Sequence, residues 1–264
     1  MKSLYSVFLF VLLPMLLLAQ PKEVIDAYNL QNAINSNNVE KVKKLINDGT
    51  GVNVQYNGRN ALHVASENNS TEMVQIILDA GGDVNSKRDD GNGITTLQNA
   101  IRSFRCQSAI IQLLLAKGAD PNVSGPDNSL AINDAIMKSG DKQESLKILE
   151  LLIKHKANVN PDSTFESTVI KSILHQRPDM LAVLLKNGAD VNKVGKESKS
   201  PLHYAVENRD IESVKLLKAN GAKVNVKNSE GQTPLDFALS KADKKDLDPN
   251  SKKKYQEIVK ILTN

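Results

Sequence analysis

Four histidines and one cysteine are the residues of this chain best suited to chemistry: His63, His155, His175, His203 and Cys106. Imidazole serves as general base or metal ligand, and a thiolate as nucleophile. Each use needs partners at a fixed spacing. A zinc protease reads His-Glu-x-x-His, a phosphate loop needs clustered glycines before Lys and Ser or Thr, and a hydrolase elbow reads Gly-x-Ser-x-Gly. None of these patterns occurs. Cys106 has no second cysteine to resolve an oxidised thiol, and its expected role is that of a small, semi-buried side chain. Aspartates and glutamates are scattered over polar positions and read as solvated faces. A hydrolase using a groove carboxylate is the weakest alternative, because no constellation supports it. The chain is expected not to be an enzyme, with no catalytic, cofactor-binding or metal-binding residues.

The elements that carry these side chains follow one unit, clearest from Ser200 to Asn225. Ser200 caps a helix start and Pro201 fits its first turn. Leu202, Ala205 and Val206 make one apolar face at helical spacing. Asn208 to Asp210 break the chain. Ile211, Val214, Leu216 and Leu217 give a second short helix, which Gly221 ends in a left-handed turn. Closing asparagines recur at Asn53, Asn85, Asn122, Asn160, Asn192 and Asn225. Each lies four residues after Gly49, Gly81, Gly118, Lys156, Gly188 or Gly221. Lys156 replaces the usual glycine, so that helix end is expected to be shaped differently.

Pro201-Leu-His-Tyr-Ala205 followed by Gly221-Ala-Lys-Val-Asn225 resembles the ankyrin repeat, whose period is roughly 33 residues. The resemblance covers nearly everything after the first twenty or so residues. It implies an all-α ankyrin-repeat solenoid of about seven helix–turn–helix repeats with hairpin loops. The expected domain is 20–264, with repeats near 24–55, 56–88, 89–125, 126–161, 162–195, 196–228 and 229–264. It also implies that His63 and His203 bond neighbouring loops. Core substitutions such as Leu216→Ala are expected to cost about 2–5 kcal/mol.

The resemblance further implies a concave face built from hairpin loops and the exposed side of first helices. Carried over position by position, the partner-binding candidates are Val64, Glu67, Asn99, Arg102, Asp134, Met137, Lys171, Leu174, His175, Tyr204, Glu207, Asn208 and Phe237. Tyr204 and Phe237 stand out, because aromatics are favoured anchors in interfaces. The bland alternative is that the two rings pack on each other across adjacent repeats and serve only the stack.

The N-terminus reads as a secretory signal peptide over residues 1–19. Lys2 supplies the positive start, Leu4 to Leu18 is apolar, and Ala19 is a small residue before Gln20. The run is short for a membrane span, which needs roughly 20 apolar residues; an uncleaved anchor is the alternative. The net charge of +4 over 264 residues is too weak to indicate nucleic acid. The expectation is an exported, periplasmic protein, or alternatively a secreted one. It is expected to be a monomer, with no membrane insertion after cleavage and no cofactor, holding one protein partner. Among bacterial proteins of this kind, an immunity protein blocking a periplasm-acting toxin, a secreted effector and an envelope stress factor remain open.

Overall fold

The structure, a computed structural model, describes residues 20–125, 129–161, 167–244 and 246–264; the expected signal segment lies outside them. The chain divides into two compact units, residues 1–129 and 130–264. In the first unit, α1 (Lys22–Asn35) pairs with α2 (Val39–Asn47), α3 (Ala61–Glu67) with α4 (Thr71–Asp79), and α5 (Thr96–Arg102) with α6 (Ser108–Ala116). In the second unit, α7 (Ala131–Met137) pairs with α8 (Lys142–Lys154), and α9 (Thr168–Leu174) with α10 (Pro178–Lys186). There α11 (Pro201–Glu207) pairs with α12 (Ile211–Ala219), and α13 (Pro234–Ala242) with α14 (Pro249–Thr263). No strand occurs among the described residues; isolated bridges such as Tyr56 to Arg59 close the hairpin loops.

Local chemistry sets each helix start. Asn60 and Thr95 accept the backbone N–H of the third helical residue, and the side chains of His63 and Gln98 reach back to the capping amide. This reciprocal cap satisfies donors that a helix start leaves unpaired. Thr233 and Asp236 do the same for α13. Within each unit the first helices lie side by side. Their small residues allow this close approach: Ala65, Ala100, Ala135, Ala205 and Ala238 are all fully buried. Large side chains fill the layer beneath, including Leu62, Met73, Ile77, Leu202, Val214 and Leu217. Burying each large apolar side chain contributes about 1.5–3 kcal/mol. Leu216 departs from expectation, since it is only half-buried while Leu217 is sealed. The full core penalty belongs to Leu217→Ala.

The closing asparagines are cross-repeat ties. Asn53 donates from Nδ2 to the Gly81 carbonyl (2.9 Å) and accepts the Asp83 N–H (2.8 Å) at Oδ1. Asn85 bridges Gly118 and Asp120 in the same way, and Asn160 bridges Gly188 and Asp190. One carboxamide thus satisfies a donor and an acceptor of the next helix end.

Lys156 corrects the expectation of a reshaped helix end. Its φ is 67°, in the same left-handed region as Gly118 at 91° and Gly188 at 83°. The turn bonds are also kept, with Ala157 N–H donating to the Leu152 carbonyl as Ala119 does to Leu114. The fold therefore holds a lysine where it costs about 1–2 kcal/mol. Lys156→Gly is expected to raise stability by about 1 kcal/mol in denaturant titration; a loss of stability would mean that the lysine side chain outweighs the backbone strain.

Candidate protein-binding face

The candidate positions divide by side-chain length. Val64, Asn99 and Asp134 are buried, at 1%, 4% and 5% exposure, and are corrected from partner-binding positions to interior ones. Adjacent first helices pack closely enough that a short side chain at this place stays below its neighbours. Asn99 is fully engaged there: Nδ2 donates to the His63 carbonyl (3.1 Å) and Oδ1 accepts from Arg88 (3.0 Å). Longer side chains at the equivalent place, Lys171, Tyr204 and Phe237, emerge half-exposed.

In the first unit the face is closed by charge pairing. Glu67 accepts from Arg59 at 2.7 Å and from Arg88 at 3.4 Å, and Arg88 also pairs with Asp90. The Ser103 hydroxyl donates to the Glu67 carbonyl (2.9 Å). Arg102 is exposed, and its guanidinium donates to Ser129 Oγ (3.1 Å). Beneath this network lies His63, fully buried. Burial, with Arg88 beside it, pushes its pKa down to about 4. Its Nδ1 accepts the Asn60 N–H (3.3 Å). The Ser86 backbone lies close enough to favour the charged ring, yet Nε2 makes no well-formed hydrogen bond.

The second unit presents a different surface. Met137 and Leu174 are 41% and 40% exposed on the successive first helices α7 and α9. Tyr204 on α11 and Phe237 on α13 are half-exposed one helical turn earlier than the equivalents of Met137 and Leu174. The Tyr204 hydroxyl donates to the Lys196 carbonyl (3.4 Å), and the Lys241 ammonium sits 4.8 Å above the Phe237 ring. Both rings are thereby oriented from the polar side. His175 is exposed at the end of α9. Glu207 is exposed and pairs with Lys199 (3.3 Å), whose ammonium also meets Glu197 (2.9 Å). Asn208 is occupied structurally, donating to the Ile173 carbonyl (3.2 Å).

One pair has the look of an activated nucleophile. Ser200 Oγ and His203 Nδ1 are 2.8 Å apart. Both residues are buried, however, and His203 Nε2 is spent on the Gln232 carbonyl (3.0 Å). The pair is a helix cap with a forward tie to the next loop. Gln98 makes the equivalent tie to the Ser129 carbonyl (3.0 Å), and Gln31 to that of Arg59. Among the described residues, no group of three or more His, Cys, Asp or Glu could hold a metal ion, and no helix is long and apolar enough to cross a membrane. Cys106 is buried, at 7% exposure.

Arg177 escaped the sequence reading. It is 4% exposed, and its guanidinium chelates Asp179 (2.9 and 2.7 Å) while donating to Ser145 Oγ and the Lys142 carbonyl, both at 2.9 Å. The only local signal was an arginine where the equivalent place in other repeats holds a capping Ser70 or Asp210.

The family model for ankyrin repeats (3 copies) matches residues 30–125 and 172–264. BRCA1-associated RING domain protein 1 of Caenorhabditis elegans is 37% identical over 91 residues, covering 34% of this chain and 12% of that protein. An ankyrin repeat protein of Acanthamoeba polyphaga mimivirus is 30% identical over 199 residues, covering 72% of this chain and 25% of that protein. The chain thus spans no more than 25% of either relative. Among solved structures, the ankyrin repeat domain of Bcl-3, a member of the IkappaB protein family, matches with a TM-score of 0.71 and 22% identity. That match covers 89% of this chain and 98% of the other, and it speaks to the fold alone.

Proposed function

The chain belongs to the ankyrin repeat family, whose repeats are generally protein–protein interaction modules, and from that premise we propose that it is a non-enzymatic binding protein of the bacterial envelope. It holds one partner protein across the first-helix face of residues 130–264. The observation that carries this reading is that four successive first helices each leave a large apolar or aromatic side chain uncovered: Met137 and Leu174 at the helix ends, Tyr204 and Phe237 one turn earlier. These partly exposed side chains are surplus to a core already filled by Leu202, Ala205, Val206 and Ala238. Aromatic anchors at an interface centre carry about 2 kcal/mol or more each.

The partner is identified by affinity capture with the exported protein from its native envelope, then titrated. Tyr204→Ala and Phe237→Ala are each expected to weaken that complex about thirtyfold, the equivalent of about 2 kcal/mol. Melting temperature should stay within about 4 °C, since about 1 kcal/mol moves a domain of this size by 2–4 °C. A larger melting loss with unchanged affinity would return both rings to a structural role.

The envelope assignment rests on Lys2 and the apolar run from Leu4 to Leu18. A positively charged start, a short apolar core and a small residue at the boundary are what signal peptidase reads. Intact-mass measurement of the exported protein is expected to give a chain starting near Gln20. The mass of the full 264 residues would favour an anchor instead.

A further inference from the structure

The turns joining α1 to α2 and α3 to α4 are three residues long, whereas the turn joining α5 to α6, Ser103 to Gln107, has five. At its tip Phe104 is 97% exposed; the next most exposed large apolar residue among those described, Val194, is 48%. The tip is held in place. Ser103 Oγ donates to the Glu67 carbonyl (2.9 Å), and the Ser103 N–H to the carbonyls of Asn99 and Ala100 (3.1 and 3.2 Å). The Gln107 N–H donates to Asn69 Oδ1 (3.1 Å), and the buried Cys106 closes the base with its N–H on the Ser103 carbonyl (3.2 Å). A pre-ordered tip loses little conformational freedom on binding. Arg105, next to the ring in sequence, is exposed, and Arg102 at the end of α5 is engaged with Ser129 Oγ (3.1 Å). The planar fork of Arg105 suits a carboxylate.

We propose that this turn is a second docking element, in which Phe104 enters an apolar pocket of an acidic protein while Arg105 meets a carboxylate at the pocket rim. An exposed aromatic beside an exposed arginine has the composition of an interface hot spot. A lipid surface fits less well. Recognition of anionic headgroups calls for about four to eight clustered basic residues. Here there are two, and the neighbouring turn offers Asn68, Asn69 and Ser70, with Glu72 in the first turn of α4.

The test places photoreactive p-benzoylphenylalanine at position 104 of the full chain in its native cells, with the exposed Glu40 position as control. The expected result is one discrete protein adduct at 104 and none at 40. Adding Arg105→Glu should lower its yield at least tenfold. With the adducted protein purified, Phe104→Ala should weaken binding about thirtyfold, and raised salt should weaken the wild-type complex. Circular dichroism melts should coincide for wild type and Phe104→Ala, because the ring touches almost nothing. The proposal is overturned by an absent adduct, by an adduct indifferent to Arg105→Glu, or by a captured protein without an acidic surface. Phe104-dependent sedimentation with vesicles of equal phosphatidylglycerol and phosphatidylethanolamine would overturn it too, making the tip a lipid contact.

Discussion

Arg177→Met is expected to lower folding stability by about 3 kcal/mol, the largest loss anticipated for a polar residue of this chain. The arginine is 4% exposed and makes contacts with three different groups. Its bidentate pair with Asp179 lies at the start of α10, and its other bonds reach the start of α8. Removing it takes one donor from the Ser145 hydroxyl and one from the Lys142 carbonyl, which keeps only the Ser145 hydroxyl at 3.1 Å among side-chain donors, and strips Asp179 of its counter-charge. Breaking a buried pair from one side costs about 3–5 kcal/mol. The lower end applies because the Asp179 side chain keeps 35% exposure and can be solvated. Burial pushes the Asp179 carboxyl up, but the Arg177 hydrogen bonds outweigh it and hold the group below the usual range. The melting temperature should fall by roughly 6–12 °C. Arg177→Lys should recover only part of this, since an ammonium cannot reproduce the fork. A loss under about 1 kcal/mol for Arg177→Met would show that these bonds merely replace equivalent bonds to water.

The second large effect is acid sensitivity through His63. Its pKa in the fold is about 4, against 6.5 for the free side chain, with burial as the main cause and Arg88 next. The unfolded chain therefore takes up a proton first as pH falls. The stability from the neutral buried ring is fully present above pH 6.5 and is lost between 6.5 and about 4. The span corresponds to about 3 kcal/mol. Arg59 and Arg88 oppose protonation, and Asp90 opposes them only weakly. His203, also lowered chiefly by burial, adds a contribution of the same sign. Denaturant titrations at pH 7, 5.5 and 4.5 should show the loss. His63→Gln should remove most of the slope, because Gln98 fills the same place one repeat later with the same cap. An unchanged slope in His63→Gln would assign the acid sensitivity elsewhere.

Much of the fold was legible because its determinants are local. A capping Asn60 or Thr233, a proline in the first turn, an apolar face and a left-handed helix end act within a few residues, so each repeat announces itself. The caps that His63 and His203 make with Asn60 and Ser200 span three residues and are local in the same way; of the loop bonds expected of both, His203 makes one to Gln232 and His63 Nε2 makes none well formed. Exposure was not. Val64, Asn99 and Asp134 occupy the same motif place as Tyr204 and Phe237, but whether that place opens to solvent depends on side-chain reach between two neighbouring helices. The charge network that closes Glu67 joins Arg59 to Arg88, and those partners are fixed by where hairpin loops fold back.

The sequence by itself determined the helix pairs, their caps and the repeating positions of the closing asparagines, since these follow from backbone preference and apolar spacing. Only the tertiary structure decided what those side chains touch. Asn53 finds Gly81 and Asp83, Arg177 finds Lys142, and Gln31 finds Arg59 across 28 to 35 residues. Such bonds arise when one repeat is laid against the next at hydrogen-bond distance, a registration set by packing of Ala65, Ala205 and Ala238 against neighbouring helices. The same registration leaves Met137 and Leu174 uncovered, and the added length of one turn leaves Phe104 standing clear of it.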